Sequence, residues 1–188
     1  MSLEPTELQP NRAGSLFGDN DTFASIYERY HQGVYFTAYR VCQNEADAHE
    51  VVSETFLKAY EHQDQFAGRS AISTWLYRIA YHVSLDLIKR KQREVTWEDK
   101  YDMVPDTVSA MDNLLDKMAK DQQLQYLSQA MLKLHPEDRV ILGLRFDRGL
   151  SYEEIAEITG IPPNTVGTRI FRAKKLLLRL MKPGGEGQ

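Results

Sequence analysis

The sequence predicts an all-α protein of two small helical domains joined by an acidic, flexible linker. Apolar residues recur at helical spacing over most of the chain, and no stretch has the pattern of a β-strand. The helical periodicity is lost after residue 94, in a stretch that contains Pro105 and is rich in acidic residues. We therefore predict five segments along the chain: a flexible arm over 1–20, a first domain over 21–94, the linker over 95–112, a second domain over 113–182 and a flexible tail over 183–188.

The composition is that of an ordinary globular protein, with 42% hydrophobic and 27% charged residues in a chain of 188. The net charge of −4 excludes a uniformly basic nucleic-acid binder, so any DNA contact must come from local basic surfaces. No apolar run is long enough to cross a bilayer, and the first residues lack the features of a signal peptide. The single cysteine, Cys42, excludes an internal disulfide, and we interpret it as a core residue in preference to a redox site. These observations predict a cytoplasmic protein without direct membrane insertion.

An enzyme is a distant alternative. The five histidines are scattered, and no cluster of His, Cys and Asp has metal-ligand spacing. The chain also lacks a glycine-rich phosphate loop and a nucleophile motif. We therefore expect no catalytic residue, no metal, no cofactor and no small-molecule substrate.

The first domain begins with a helical pattern from Asp21 to Cys42, and Asn44 is placed to cap the helix that follows. The second helix buries an apolar side and carries Asp47, Glu50 and Glu54 on its other faces. Taken alone, these acids favour a solvated face over a docking surface for a basic partner helix.

The third helical stretch places aromatic residues beside basic ones. Bases stack on aromatic rings while cations hold phosphates, so this combination is typical of proteins that bind single-stranded nucleic acid. The residues concerned are Phe66, Arg69, Trp75, Tyr77, Arg78 and Tyr81, and the helix ends in the basic residues Lys89, Arg90, Lys91 and Arg93. The alternative is a core helix with an ordinary basic C-terminus, and the residues alone favour that alternative.

Residues 151–182 read as a short helix, a tight turn and a second, basic helix. Ser151 is a suitable N-cap, Gly160 fits the break between the helices, and Pro163 suits the first turn of the second helix. The second helix has an apolar stripe, and its other faces carry basic residues without a single acid. This arrangement favours a DNA-binding helix-turn-helix over an ordinary helical hairpin.

Three stretches, in this order, resemble an extracytoplasmic-function sigma factor of bacterial RNA polymerase. They are DAHEVVSETFLKAY, FAGRSAISTWLYRIAYHVSLDLIKRK and LHPEDRVILGLRFDRGLSYEEIAEITGIPPNTVGTRIFRAKK. The resemblance implies a protein that is not an enzyme but binds core polymerase and directs promoter recognition, melting of the minus-ten element and transcription initiation. The alternative is a stand-alone helix-turn-helix regulator of duplex DNA, which would explain residues 122–182 but not the aromatic and basic helix at 66–93.

The resemblance also implies roles for individual residues. The second helix, with Asp47, Glu50 and Glu54, is expected to dock on a coiled coil of the largest polymerase subunit. Contact with the minus-ten element is expected from Phe66, Arg69, Ser70, Trp75, Tyr77, Arg78, His82, Lys89 and Arg90. Contact with the minus-thirty-five element is expected from Asn164, Thr165, Thr168, Arg169, Arg172, Lys174 and Lys175. Arg169 is the first candidate for a bidentate guanine contact.

The implied partners are core polymerase, including the flap of its second subunit, promoter DNA and an anti-sigma factor. Two residues depart from the family's usual pattern. Gly167 stands where a cation is common, which removes a charge and weakens the helix. His82 stands where the family often has an asparagine that helps to read the minus-ten element. One interpretation is that His82 changes which minus-ten sequence is preferred. The alternative is that His82 is an ordinary, partly exposed helix residue.

Overall fold

A computed structural model describes residues 22–66, 68, 70–95 and 126–181 of the chain. These residues form helices and connecting turns, and none of them lies in a β-strand. The helices are α1 (Phe23–Cys42), α2 (Glu45–Glu61), α3 (Ile72–Val95), α4 (helical over 126–132), α5 (Pro136–Phe146), α6 (Tyr152–Thr159) and α7 (Pro163–Leu180), and a short 3-10 turn covers Gln63–Gln65. The predicted arm, the predicted tail, the predicted linker after Val95 and the start of the second predicted domain lie outside the described residues.

The first three helices pack against one another as a small bundle. Thr22 caps α1 by accepting a hydrogen bond from the amide of Ser25, and Asn44 caps α2 through the amide of Asp47. Each helix buries one stripe of side chains, and Val34, Val51 and Leu76 are fully inaccessible to solvent. The predicted cap at Asn44 is therefore confirmed, and α1 begins two residues later than the periodicity predicted.

The close packing of α1 against α3 depends on Gly33. A Cβ atom at this position would lie within 3.0 Å of three side-chain atoms of Tyr77. Tyr77 is only 6% exposed, so its ring occupies space that a larger residue on α1 would need. The absence of a side chain at Gly33 thus determines how near the two helices can approach.

The second domain is organised by the turn between α6 and α7. Ser151 accepts a hydrogen bond from the amide of Glu154, and the Glu154 carboxylate accepts one from the amide of Ser151, which is a complete capping box. Gly160 ends α6 with φ of 73°, a left-handed conformation that glycine adopts without strain. Pro163 begins α7, as its position in the sequence predicts.

The two groups of helices lie in direct contact. Their buried residues form one continuous apolar cluster, which runs from Ile26 in α1 to Ala173 in α7. Helix α1 packs against α5, and α3 packs against α6. Both halves of the protein therefore contribute to a shared core in this conformation.

We expect Gly33→Ala to lower the free energy of unfolding by about 1–3 kcal/mol, because the added methyl group must displace the buried Tyr77 ring. Chemical denaturation of the full-length protein measures this change. Gly33→Ala combined with Tyr77→Phe, which removes the oxygen that the new methyl group would meet, should recover part of the loss. A Gly33→Ala variant as stable as the wild type would show that α1 and α3 do not approach this closely.

Candidate nucleic-acid interface

The helix-turn-helix presents a polar and basic surface along α7. Val166, Ile170 and Ala173 are buried, which turns the opposite side of the helix towards solvent. The predicted contact residues on that exposed side are Asn164, Thr165, Thr168, Arg172, Lys174 and Lys175. The Thr168 hydroxyl donates to the Asn164 carbonyl at 3.0 Å, and Arg172 has no ion pair with any described residue. The surface is therefore available to a ligand that carries negative charge.

Arg169 lies on the flank of α7 that faces α5. Its Nη1 atom is 2.5 Å from Oε2 of Glu137 and 3.2 Å from Oδ1 of Asp138. The Arg169 side chain is 32% exposed, so it is partly enclosed between two carboxylates that stand in the first turn of α5. The structure thus separates Arg169 from the other predicted contact residues of α7.

Gly167 allows α6 and α7 to approach each other closely. A Cβ atom at Gly167 would lie 3.3 Å from a ring carbon of Tyr152, a distance that requires the tyrosine to move. Tyr152 also contacts Arg145, whose guanidinium carbon lies 5.2 Å from the ring centroid. The glycine that departs from the expected sequence pattern therefore has a packing partner in this protein.

Apolar side chains lie on the exposed surface beside the basic residues of α7. Phe171 is 68% exposed and Leu178 is 64% exposed, and Phe146 at the end of α5 is 58% exposed beneath the ammonium group of Lys174. The periodicity of α5 predicts Phe146 on its buried side, whereas the structure places it outside. The exposed position of Phe171 was not predicted, although its spacing from the buried residues of α7 indicates that it faces outward.

In the first domain, the aromatic candidates are divided between surface and core. Phe66 and Trp75 lie half-buried with ring centroids 5.3 Å apart, and the partly exposed Ser70 lies on the segment between them. Arg69 lies outside the described residues. Tyr77 is buried beneath α1, and burial raises the pKa of its phenol. The structure therefore places Tyr77 away from the surface where a base could stack.

The exposed side of α3 carries Arg78, His82 and Lys89. Arg78 is engaged by the second domain, because its Nε atom donates to the carbonyl of Glu157 in α6 at 2.7 Å. His82 is exposed, and its ring lies 5.3 Å from that of Tyr81. Tyr81 itself faces inward, and burial together with the nearby Glu137 carboxylate raises its pKa to about 12.

The acidic candidates of α2 and the basic end of α3 are paired with each other. Arg90 lies 2.9 Å from the Glu50 carboxylate, and the ammonium group of Lys91 lies 2.5 Å from that of Asp47. Glu54 forms a pair with Lys58, one turn further along α2. Two acids predicted to contact polymerase, Asp47 and Glu50, thus form ion pairs with the basic end of α3 in the free chain.

Residues 22–66, 68, 70–95 and 126–181 contain neither a metal centre nor a membrane-spanning helix. Within these ranges no group of three or more His, Cys, Asp and Glu side chains is arranged to hold a metal ion. No helix in them is long and apolar enough to cross a membrane. Cys42 is partly buried, and burial raises the pKa of its thiol to about 11, as expected for a core residue.

Two family models match the chain: sigma-70 region 2 over residues 26–94 and sigma-70 region 4 over residues 124–177. The ECF RNA polymerase sigma factor SigW of Bacillus subtilis is 33% identical to the chain, with 88% of this chain and 91% of that protein covered. The chain belongs to the extracytoplasmic-function sigma factors. The RNA polymerase sigma-H factor of Pseudomonas aeruginosa is also similar, with 32% identity over 88% of this chain and 89% of that protein.

A solved structure resembles this sigma factor over both domains. The sigma factor RpoE of Bartonella quintana, in complex with the anti-sigma factor NepR, superposes with a TM-score of 0.72 and 25% identity, covering 86% of this chain and 98% of that one. CnrH in complex with the cytosolic domain of CnrY has a TM-score of 0.58 and 22% identity, and this likeness supports the fold alone.

These findings confirm the predicted all-α class, the two-domain architecture and the family. The protein is therefore an alternative sigma factor, which binds core RNA polymerase and directs promoter recognition and transcription initiation. The interpretation as a stand-alone regulator of duplex DNA is not favoured, because region 2 matches the half of the chain that such a regulator would leave unexplained. The domain boundaries and the roles of single residues stay predictions.

Proposed function

We propose that this sigma factor reads the minus-thirty-five element with the exposed side of α7, opens the minus-ten element with α3 and the segment before it, and docks on polymerase with α2. The observation that carries this proposal is the outward surface of α7, which combines hydroxyl, amide, guanidinium and ammonium groups without an acid. A helix of this kind after a tight turn suits the major groove, where its early residues meet base edges.

Arg172 is the residue we assign to base recognition in the duplex. It is exposed, it lies one helical turn after Thr168, and no described carboxylate pairs with it. A free guanidinium can form two hydrogen bonds to the N7 and O6 atoms of guanine, whereas one held by carboxylates must first break those bonds. Lys174 and Lys175 lie further along α7 and suit phosphate contacts.

Phe66 and Trp75 form the aromatic part of the proposed minus-ten site. The two rings are in contact and half-buried, so they are held in place while part of each side chain remains accessible. A flipped base loses a few kcal/mol of stacking energy, which contact with fixed aromatic rings offsets. Ser70, together with Arg69 as predicted from the sequence, supplies polar groups beside these rings.

Docking on polymerase is assigned to Asp47, Glu50 and Glu54 of α2, facing a coiled coil of the largest subunit. Basic residues of that coiled coil would replace Arg90 and Lys91 as the ion-pair partners of Glu50 and Asp47. The released cations would then face DNA phosphates. The exposed pair of Arg90 with Glu50 contributes only about 0–1 kcal/mol, so its exchange has a low cost.

The proposed partners are core polymerase, including the flap of its second subunit, promoter DNA and an anti-sigma factor. An anti-sigma factor is supported by the resemblance to RpoE in complex with NepR. Since bacterial RNA polymerase works in the cytoplasm, we place this protein there as well. We propose no catalytic residue, metal, cofactor or small-molecule substrate.

The function is tested by run-off transcription with purified core polymerase on genomic fragments. We expect discrete start sites when the protein is present and none with core polymerase alone. The free protein should bind the same promoters weakly or without sequence preference. Tight, sequence-specific duplex binding by the free protein, with no transcription from any fragment, would favour the stand-alone regulator.

Arg172→Ala and Arg169→Ala should have different effects. Loss of a base contact should relax promoter choice at one upstream position by about 1–3 kcal/mol in Arg172→Ala, with stability unchanged. Arg169→Ala should instead lower the free energy of unfolding by about 1–3 kcal/mol, because it leaves Glu137 and Asp138 without their partner. The measurements are transcription from a series of upstream promoter variants and chemical denaturation. Relaxed promoter choice in a fully stable Arg169→Ala protein would show that Arg169 makes a base contact.

Neutralising the acidic residues of α2 should weaken polymerase binding. We expect Asp47→Asn with Glu50→Gln to lower the affinity for core polymerase about threefold to tenfold, because two attractive charges are lost. Fluorescence titration at several salt concentrations measures this effect. Glu28→Gln is the matched control, since Glu28 is an exposed acid on α1 outside the proposed docking surface. Equal affinity in all three proteins would exclude α2 as the docking site.

A further inference from the structure

An aromatic side chain lies fully outward on the helix that we propose for the major groove. Phe171 is 68% exposed, the largest exposed fraction among the large apolar side chains that the structure describes. Residues three and four apart on a helix are neighbours, so its ring lies beside Thr168 and Lys175, which are both exposed. The ring therefore belongs to the surface of α7 that is proposed to face DNA.

The residue one turn before Phe171 leaves the ring uncovered. Gly167 stands four residues earlier on the same side of α7, where a long side chain would lie against the ring. A Cβ atom at Gly167 would have two atoms within 4 Å, and both belong to the ring of Tyr152. A gap thus remains on this side of α7, bordered by the rings of Tyr152 and Phe171. We call Tyr152, Gly167 and Phe171 the apolar notch.

The other exposed aromatic rings near α7 are already in contact with cations. The guanidinium carbon of Arg145 lies 5.2 Å from the centroid of Tyr152, and the ammonium nitrogen of Lys174 lies 5.3 Å from that of Phe146. Within the part of the chain that the structure describes, no ring or cation stacks on Phe171. The Phe171 ring is therefore available to an apolar group from outside the protein.

The chemistry of the notch suits one group in the major groove. Thymine is the base that presents a methyl group there, whereas the other base edges offer hydrogen-bond donors and acceptors alone. A phenylalanine ring placed against a donor or an acceptor would remove it from water without giving it a partner. Contact with a methyl group instead removes apolar surface of both groups from water. The notch therefore favours thymine over the other three bases.

We propose that the apolar notch receives the C5-methyl group of a thymine in the minus-thirty-five element, which makes Phe171 a specificity-determining residue beside Arg172. This inference rests on the proposed function of α7. Gly167 contributes by keeping the place of the methyl group open. A cation at this position would stand in front of the ring and favour phosphate oxygens or acceptor atoms of the bases.

Selection from a promoter library tests the inference with the holoenzyme, formed from core polymerase and the full-length protein. The library is randomised over the upstream element, and we expect the wild type to enrich thymine at one position. Phe171→Ala should lose this enrichment and keep the other preferences. Leu178→Ala is the matched control, because Leu178 is 64% exposed on the same side of α7 two turns later. It should retain the preference for thymine.

Removal of the methyl group alone is the stricter test. Deoxyuridine pairs as thymidine does but lacks the C5-methyl group, so it should weaken binding of the wild-type holoenzyme about threefold to fivefold at the selected position. Phe171→Ala should bind both DNAs equally. Gly167→Arg should also lose the dependence on the methyl group, while its added charge maintains DNA binding. Arginine favours a helix over glycine, so α7 should remain folded.

The outcomes that overturn this inference differ from those that overturn the proposed function. A wild type that enriches no thymine, or a dependence on the methyl group that persists in Phe171→Ala, would exclude the notch as its site and leave promoter recognition by α7 intact. A lower affinity of Phe171→Ala for core polymerase without DNA would show that the ring contacts polymerase instead. A holoenzyme that selects no promoter at all would contradict the proposed function, and this inference with it.

Discussion

Each helix of this sigma factor must bury one apolar stripe, and this requirement determines which charged groups face outward. Helices of 8 to 24 residues gain little stability from their own hydrogen bonds and depend on packing instead. In α7 the burial of Val166, Ile170 and Ala173 turns the basic side towards solvent. In α3 the same requirement buries Tyr77 and leaves Arg78 at the surface. The functional surfaces are thus consequences of packing.

Local signals made much of the fold predictable from the sequence. Asn44, Ser151 and Gly160 satisfy backbone groups within a few residues of themselves, so their roles depend on short-range chemistry. The family resemblance supplied the rest of the architecture and the function. The identity of side-chain partners was not predictable in this way. Arg169 and Glu137 are 32 residues apart, and only the packing of α5 on α7 brings them together.

The position of an aromatic residue along its helix also did not predict whether its side chain is exposed or buried. Tyr77 and Trp75 both stand in a stretch of mixed aromatic and basic residues, yet Tyr77 is buried because Gly33 on another helix makes room for it. Phe146 is the opposite case, since it stands at the end of α5 and is 58% exposed, and among the described residues only the Lys174 ammonium group lies over its ring. Both outcomes depend on neighbours distant in sequence, which periodicity does not identify.

The covalent connection between the domains explains how a modest interface can hold them together. Linkage makes their association intramolecular, with an effective concentration on the order of millimolar. At that concentration an interface worth about 4 kcal/mol is half closed. Arg139 in α5 donates hydrogen bonds to the carbonyls of Arg40 and Val41 in α1. These bonds and the adjoining apolar contact are of that order, since one hydrogen bond to a charged group contributes about 1.5–3 kcal/mol. An interface of this size therefore suffices to keep the linked domains in contact for much of the time.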